Sequence, residues 1–323
     1  MSDTAVELSI VTSLYRSAPF LDEFCSRAAA AARSIARSFE IVLVNDGSPD
    51  DALALALKLC AADPHIRVID LSRNFGHHRA LMTGMARARG QRVFLVDSDL
   101  EEDPAWLLTF DEAMRATGAD VIYGVQSSRK GGWVERVAGD LFFNVFNRML
   151  AYPIPKNSVT ARLMTARYVE ALVSHQEREL CLAGLWAITG FDQRPVQVKK
   201  GSRGDSSYTT RMRLSAFANA ITSFSNRPLV YIFQIGVAVM LLSVLAGGFL
   251  LYRSVTGSVG VPGWASIMVS VWFLGGLIIF CVGVIGMYLA KIFTEIKQRP
   301  YTIVRAEHGA DQGREDGPRG TPA

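Results

Sequence analysis

Cysteine is scarce: Cys25, Cys60, Cys181 and Cys281 are the only four in 323 residues, and they form no C-x-x-C pair or Cys/His cluster. That spacing argues against a zinc or dithiol motif and leaves reduced, buried thiols in a cytosolic body as the expectation. A strong charge of one sign is missing too. Lys and Arg number 34 against 30 Asp and Glu, and the net +4 is spread along the chain. So small an excess does not suggest a nucleic-acid protein and argues only weakly for an anionic surface or substrate. No secretory leader is legible, because residues 1–7 are polar and the apolar run after them is short and lacks a basic flank. What is abundant is hydrophobicity. At 50% of residues it is high for a soluble enzyme, and the length allows one ordinary domain with a membrane appendage.

Short runs rich in Val, Ile and Leu at 8–14, 40–45, 67–71, 92–97 and 120–125 read as strands buried on both faces. Stretches of helical length at 20–37, 51–62, 77–89 and 104–117 lie between them. Four rounds of strand and helix predict right-handed crossovers and an α/β fold with a mainly parallel sheet. Ligands of such sheets bind at the carboxyl ends of the strands. Those ends bring up Thr12, Leu14 and Tyr15, then Asp46 and Gly47, then Arg73, Asn74 and Gly76, and last Asp97, Asp99 and Glu101.

Beyond residue 126 the pattern changes. Residues 133–150 carry Trp133, Val137, Leu141, Phe142 and Val145 at helical spacing, an amphipathic helix that either packs on the sheet or lies at a membrane surface. Residues 211–228 read as a juxtamembrane amphipathic helix. Within 229–290, the runs 229–252 and 265–290 hold no charged residue, and each as a helix is long enough to cross a hydrocarbon core of about 30 Å. Arg211, Arg213 and Arg227 precede the first run, Lys291, Lys297, Arg299 and Arg305 follow the second, and the loop between holds only Arg253. The positive-inside rule makes both ends cytoplasmic, with 1–210 as the cytoplasmic catalytic domain and 291–323 as a tail disordered from Ala306 onward.

Three groups of residues carry chemistry. In Asn45-Asp46-Gly47-Ser48-Pro49-Asp50-Asp51, Asp46 either contacts a nucleobase or ribose, or belongs to a turn that caps a helix. In Asp97-Ser98-Asp99, residues two apart on an extended strand point the same way, so both carboxylates meet at one ligand and suit Mg²⁺ or Mn²⁺; the bland alternative is an acidic loop. Arg73, Arg129, Lys130, Arg162 and Arg203 supply phosphate-binding donors, although any one of them also reads as a solvated surface group. His77 and His78 open a helix and either ligate a metal or take a proton, or serve as plain capping or surface residues, the commoner case.

Taken in order, 8–15, NDGSPDD, LSRNFGHH, VDSDLEEDP, VIYGVQSSRKGG, 203–208 with Ser206, and ITSFSNRPL before two spans resemble glycosyltransferase family 2. Within it the likeness is to polyprenyl-phosphate glycosyltransferases, the group of dolichyl-phosphate mannose synthase and bacterial undecaprenyl-phosphate glucosyltransferases. The resemblance implies a GT-A fold, transfer with inversion from a nucleotide diphosphate sugar (a UDP-sugar) to polyprenyl phosphate, and a multi-pass protein of the bacterial inner membrane. It implies Asp46 as the base-binding aspartate, Asp97 beside the donor ribose or diphosphate, and Asp99 as metal ligand. Glu101 stands where relatives often carry Gln, and Arg129 and Arg203 match positions that hold the diphosphate or lipid phosphate. Relatives form oligomers, though no residue pattern here signals one. No Q-x-x-R-W run is present, which disfavours processive polysaccharide synthases. Departures are Ser13-Leu14-Tyr15-Arg16 for P-x-Y-N, Ser207 for a Lys, and Thr160 for the Asp proposed as a base. Another membrane acceptor, or a catalytically idle membrane scaffold, are the rival readings.

Overall fold

The computed structural model describes residues 6–126, 155, 157–177, 180–201, 227–256 and 264–309. They fall into two compact units, one built from the chain up to residue 201 together with 299–309, the other from the two long helices.

The first unit is an eight-stranded sheet. Strands β1 (Leu8–Leu14), β2 (Phe39–Asn45) and β3 (Ile66–Leu71) are buried at every position, as continuous apolar runs between two helical layers must be. Strands β4 (Arg92–Leu95), β5 (Val121–Gln126), β6 (Ser158–Thr165), β7 (Gln193–Val198) and β8 (Val304–His308) complete the order β7-β5-β6-β4-β1-β2-β3-β8. β1 pairs parallel with β2 and β4, and β2 with β3. β6 is antiparallel to both β4 and β5, β7 is parallel to β5, and β8 is antiparallel to β3. Six strands therefore share one direction, and β6 and β8 oppose them.

Helices α1 (Leu21–Ile35), α2 (Ala52–Ala62) and α4 (Trp106–Thr117) cover one face, and α3 (His77–Ala86), α5 (Ala166–Val173) and α6 (Leu182–Thr189) the other. Asp22 and Glu23 in the first turn of α1 and Arg33 in its last complement the helix dipole. Gly118 ends α4 in the left-handed conformation at φ 66°. The four cysteines are free thiols, and burial pushes Cys25 up to about 12.

Two expectations need correction here. β4 ends at Leu95, so Asp97 and Asp99 lie in a turn after the strand and strand alternation does not align them. Leu100, at φ 59°, turns that loop. In addition, Ala306 to His308 are not disordered. They extend β3 by backbone pairing, and Arg305 forks onto Asp70 with Nε–Oδ2 2.7 Å and Nη2–Oδ1 3.1 Å. An open sheet edge can order a segment that has little apolar surface of its own.

The second unit comprises α7 (Arg227–Val255, 29 residues) and α8 (Trp264–Ile296, 33 residues). Among the described residues one stretch, Phe273–Ile296, is long and apolar enough to cross a membrane, and 6% of it is buried; in α7 the run Leu229–Val239 is apolar but shorter. Large side chains point outward on both helices, among them Phe233, Leu245, Phe273 and Ile279. Such exposure fits a lipid environment and not the core of a soluble protein. The helices expected over 133–150 and 211–228 lie outside the described residues.

Candidate active site

Chain order reverses beside β1: β2 and β3 lie on one side of it and β4 on the other. The crevice at the carboxyl ends of β1 and β4 is therefore the switch point where open α/β sheets take ligands. The loop after β4 is pinned there, with Ser98 Oγ donating to the Ser13 carbonyl at 2.9 Å and sharing a hydrogen bond with Ser17 Oγ at 2.9 Å. His77, the first residue of α3, shares a hydrogen bond with Ser13 Oγ through Nδ1 (2.8 Å) and places Nε2 3.3 Å from Asp97 Oδ1. From β6, the Thr160 hydroxyl bonds Asp97 and the Thr160 N–H donates to Glu102 Oε1 at 3.0 Å. The Gly201 N–H donates to the Glu101 carbonyl at 2.9 Å, which ties the segment after β7 to the acidic loop. Lys200 is thereby delivered into the cluster, its Nζ 3.3 Å from Glu101 Oε2 and 3.7 Å from Glu102 Oε1.

Acidic groups outnumber basic ones in this cluster among the described residues. Burial alone would raise Asp97, yet His77, Lys200 and the Thr160 hydroxyl hold its carboxyl below the ordinary range. Asp99 moves the other way: burial and the Asp97 charge raise it, opposed by the Glu101 N–H. Glu102 is fully buried, and burial together with Asp97 pushes it up to about 7. Burial works against the charged forms of His77 and Lys200, but the surrounding carboxylates raise both. Among the described residues four carboxyl groups, those of Asp97, Asp99, Glu101 and Glu102, gather with the Lys200 ammonium and the His77 imidazole, a hard-oxygen environment. Among the described residues no three His, Cys, Asp or Glu side chains could hold a metal by themselves. Asp97 and Asp99 fit a divalent ion of the Mg²⁺ kind, which characteristically takes one or two carboxylates and completes its shell with substrate phosphates and water.

Beside the loop lies a cavity of about 340 Å³ lined by Glu102, Gln126, Asn157, Thr160, Trp186 and Lys200, among others. Among the described residues two of these side chains leave a buried polar atom without a hydrogen-bond partner: Glu102 Oε2 and Trp186 Nε1. Each such atom costs on the order of 1–3 kcal/mol, and both side chains belong to the lining of this one cavity. Arg162, which burial pulls down to about 9, does not open into this space. Its guanidinium lies over the Trp186 ring at 3.0 Å and donates to the carbonyls of Thr160 (3.3 Å) and Val159 (3.5 Å).

The other sequence candidates are distributed differently. Asp46 is buried and accepts from the Phe75 N–H (2.7 Å) and the Gly76 N–H (3.0 Å), so its carboxylate ties the end of β2 to the loop after β3. At Gly47, with φ 59°, a Cβ would stand 2.4 Å from the Asn74 nitrogen; the backbone that needs this glycine belongs to the chain itself. Arg73 and Asn74 are exposed, with the Arg73 guanidinium 4.1 Å from the Phe75 ring centroid. Leu14 is core, Thr12 is buried with Oγ1 unpartnered, and Tyr15 is 47% exposed. Arg129, Lys130, Arg203 and Ser206 lie outside the described residues. Lys200 and Glu102 escaped the sequence reading because neither stands out from its neighbours, Lys199 and the acidic run 101–103. His77 was read as a surface residue, and only the close approach of α3 to the end of β4 gives it Asp97.

Residues 9–173 match the family model for glycosyl transferase family 2, and the chain belongs to that family. It is a glycosyltransferase, and the acidic loop at the switch point is its candidate catalytic center. A glycosyltransferase of Mycobacterium tuberculosis is 50% identical over 306 residues, covering 95% of this chain and 90% of that protein. A glycosyltransferase of Synechocystis sp. is 33% identical over 93% of this chain and 95% of its own length. The prophage-derived bactoprenol glucosyl transferase of Shigella flexneri is 31% identical over 83% of this chain and 88% of its own length.

Proposed function

We propose that the protein transfers a sugar, with inversion, from a UDP-sugar to polyprenyl phosphate at the cytoplasmic face of a bacterial inner membrane. The observation that carries the reading is the half-buried acidic loop from Asp97 to Glu102, with Lys200 and His77 against it, at the switch point. Similarity to a bactoprenol glucosyl transferase supports the lipid acceptor. In the reaction a phosphate oxygen of the lipid attacks the anomeric carbon, a new C–O bond forms, and the bond to the nucleoside diphosphate breaks. A phosphate monoester with a second pKa of about 6 is already ionised at neutral pH, so a strong protein base is dispensable, in keeping with Thr160 where relatives carry Asp. Asp97 and Asp99 would hold Mg²⁺ or Mn²⁺, which when bound neutralises charge on the departing diphosphate. His77 holds Asp97 in place through the 3.3 Å pair, and Lys200 keeps Glu101 and Glu102 from repelling the anionic donor. Arg129 and Arg203 are assigned to the diphosphate or the lipid phosphate, and Arg73, Asn74, Lys130 and Ser206 to donor binding.

A second membrane crossing is supported by connectivity. β8 lies in the same sheet as β1–β7, and on this reading the chain from residue 201 to 304 would cross the bilayer an even number of times. With Phe273–Ile296 as one crossing, α7 is the other, and its 29 residues rise about 43 Å as a helix.

The test is transfer of labelled glucose from UDP-glucose to undecaprenyl phosphate by membranes holding the full chain, with Mg²⁺ or EDTA. Transfer abolished by EDTA and by Asp99→Ala is expected. Undiminished transfer by Asp99→Ala in EDTA would end the metal reading, and no lipid-linked product from any nucleotide sugar would end the transferase reading.

A further inference from the structure

We propose that Glu102 and Trp186 select the sugar, Glu102 Oε2 accepting from and Trp186 Nε1 donating to hydroxyls of a hexosyl ring seated in the cavity beside the acidic loop. The assignment rests on the transferase reading above and names the residues that would give it sugar specificity.

The argument begins with the two orphan atoms. A carboxylate only accepts and an indole N–H only donates, whereas a sugar hydroxyl does both, so a polyol is the ligand chemistry that satisfies the pair. The rest of the lining agrees, since Gln126, Asn157 and Thr160 add amide and hydroxyl groups that read hydroxyls and suit a lipid tail poorly. A diphosphate is disfavored in the same space, because Glu102 faces it and the lysine there is already engaged by Glu101 and Glu102. At about 340 Å³ the cavity is near the small end of ligand pockets, a size for one ring and not for a whole nucleotide sugar.

Both selecting groups are also held rigidly, and by the same strand. Thr160 in β6 fixes Glu102 through its backbone N–H. Arg162, two residues on, stacks on Trp186 while its donors are anchored on the carbonyls of Thr160 and Val159. Buried Arg162 is thus a positioning residue for the indole. Groups held this way can reject a sugar that lacks the matching hydroxyl, because rejection leaves them unpaired again.

The experiment measures binding by calorimetry to the full chain in nanodiscs with Mg²⁺. Probes are UDP-glucose, UDP-N-acetylglucosamine and GDP-mannose, each beside its bare nucleotide. At least one sugar nucleotide should bind about tenfold tighter than its bare nucleotide, a margin of about 1.4 kcal/mol. Glu102→Gln and Trp186→Phe should each shrink that margin, taken against the same variant's bare-nucleotide affinity, to about threefold or less. An unchanged margin in both folded variants, as expected for a cavity that holds only water, overturns the proposal. Should either variant fail to fold, the unaltered protein decides: monodeoxy forms of the preferred donor must include one that loses the margin, and equal binding by all of them overturns the proposal. Binding of nucleotides with no sugar margin defeats this assignment alone, whereas no binding of any nucleotide or nucleotide sugar defeats the transferase reading with it.

Discussion

Two loops at the same edge of the sheet look alike in sequence and differ in what they leave unpaired. After β2, Asp46, Gly47, Ser48 and Asp50 form a closed device: Asp46 takes two backbone N–H groups, Ser48 N–H donates to Asn45, Ser48 Oγ donates to Asp50, and Asp50 accepts from the Ala18 N–H. Following β4, Asp97, Asp99, Glu101 and Glu102 crowd around Lys200 and His77, and among the described residues Glu102 Oε2 is left without a hydrogen-bond partner. A satisfied polar loop contributes stability, whereas an unsatisfied, charge-strained one is where a ligand has something to gain. Changes in the first loop should therefore cost folding, and changes in the second should cost catalysis.

The largest effect is expected at Asp99→Asn, which keeps the shape of the side chain and removes the charge. Transfer should fall on the order of 10²–10³-fold, as when a group that stabilises transition-state charge is lost. Melting temperature should stay within about 2 °C, because no core contact is lost. A collapse of folding instead would erase the contrast between the loops. The converse test is Gly47→Ala, where the positive φ and the 2.4 Å approach to the Asn74 nitrogen cannot relax without moving backbone. Destabilisation of about 3 kcal/mol, read as a drop on the order of 10 °C, is expected, with specific activity of the remaining folded protein little changed.

A pH experiment sharpens the second loop. Glu102 stands at about 7 in the folded protein against an ordinary value of 4.5. The folded state holds this proton more tightly, so the stability it contributes is complete below about pH 4.5 and fades as pH rises through about 7. Wild-type melting temperature should therefore decline from about pH 5 to about pH 7.5 by a component missing in Glu102→Gln; parallel profiles would show that burial does not govern this group. The smallest effect belongs to Arg305→Ala at the sheet edge. That side chain is 56% exposed and its pair with Asp70 is partly screened, so a drop of a degree or two and unaltered transfer are expected. A loss of transfer there would mean that β8 shapes the site as well as the edge.

Much of the first half of the chain was legible. β1 was read to the residue, and β2, β3 and β5 to within one, because runs of Val, Ile and Leu bounded by Gly, Asp and Ser are what a doubly covered parallel strand requires. β6 and β7 were not read: their burial alternates or is only partial, and β6 owes its place to pairing with β4 and β5, which are far away in sequence. Residues 306–308 of β8 carry the pattern of a disordered tail for a related reason. The strand is polar, and what orders it is the open edge of β3 together with Asp70, 235 residues before Arg305.

The amino-acid order alone determined the α/β alternation and the family, and it pointed to the acidic stretch as the candidate site and to the apolar helix that holds Phe273–Ile296, since each depends on local pattern. Tertiary structure decided which charges matter. It closed the Asp46 loop upon itself, drew His77 to Asp97 and Lys200 to Glu101, buried Glu102, and set the indole of Trp186 against the same cavity. Burial and pairing depend on which distant segments meet, and they decide whether a carboxylate is scaffold or chemistry.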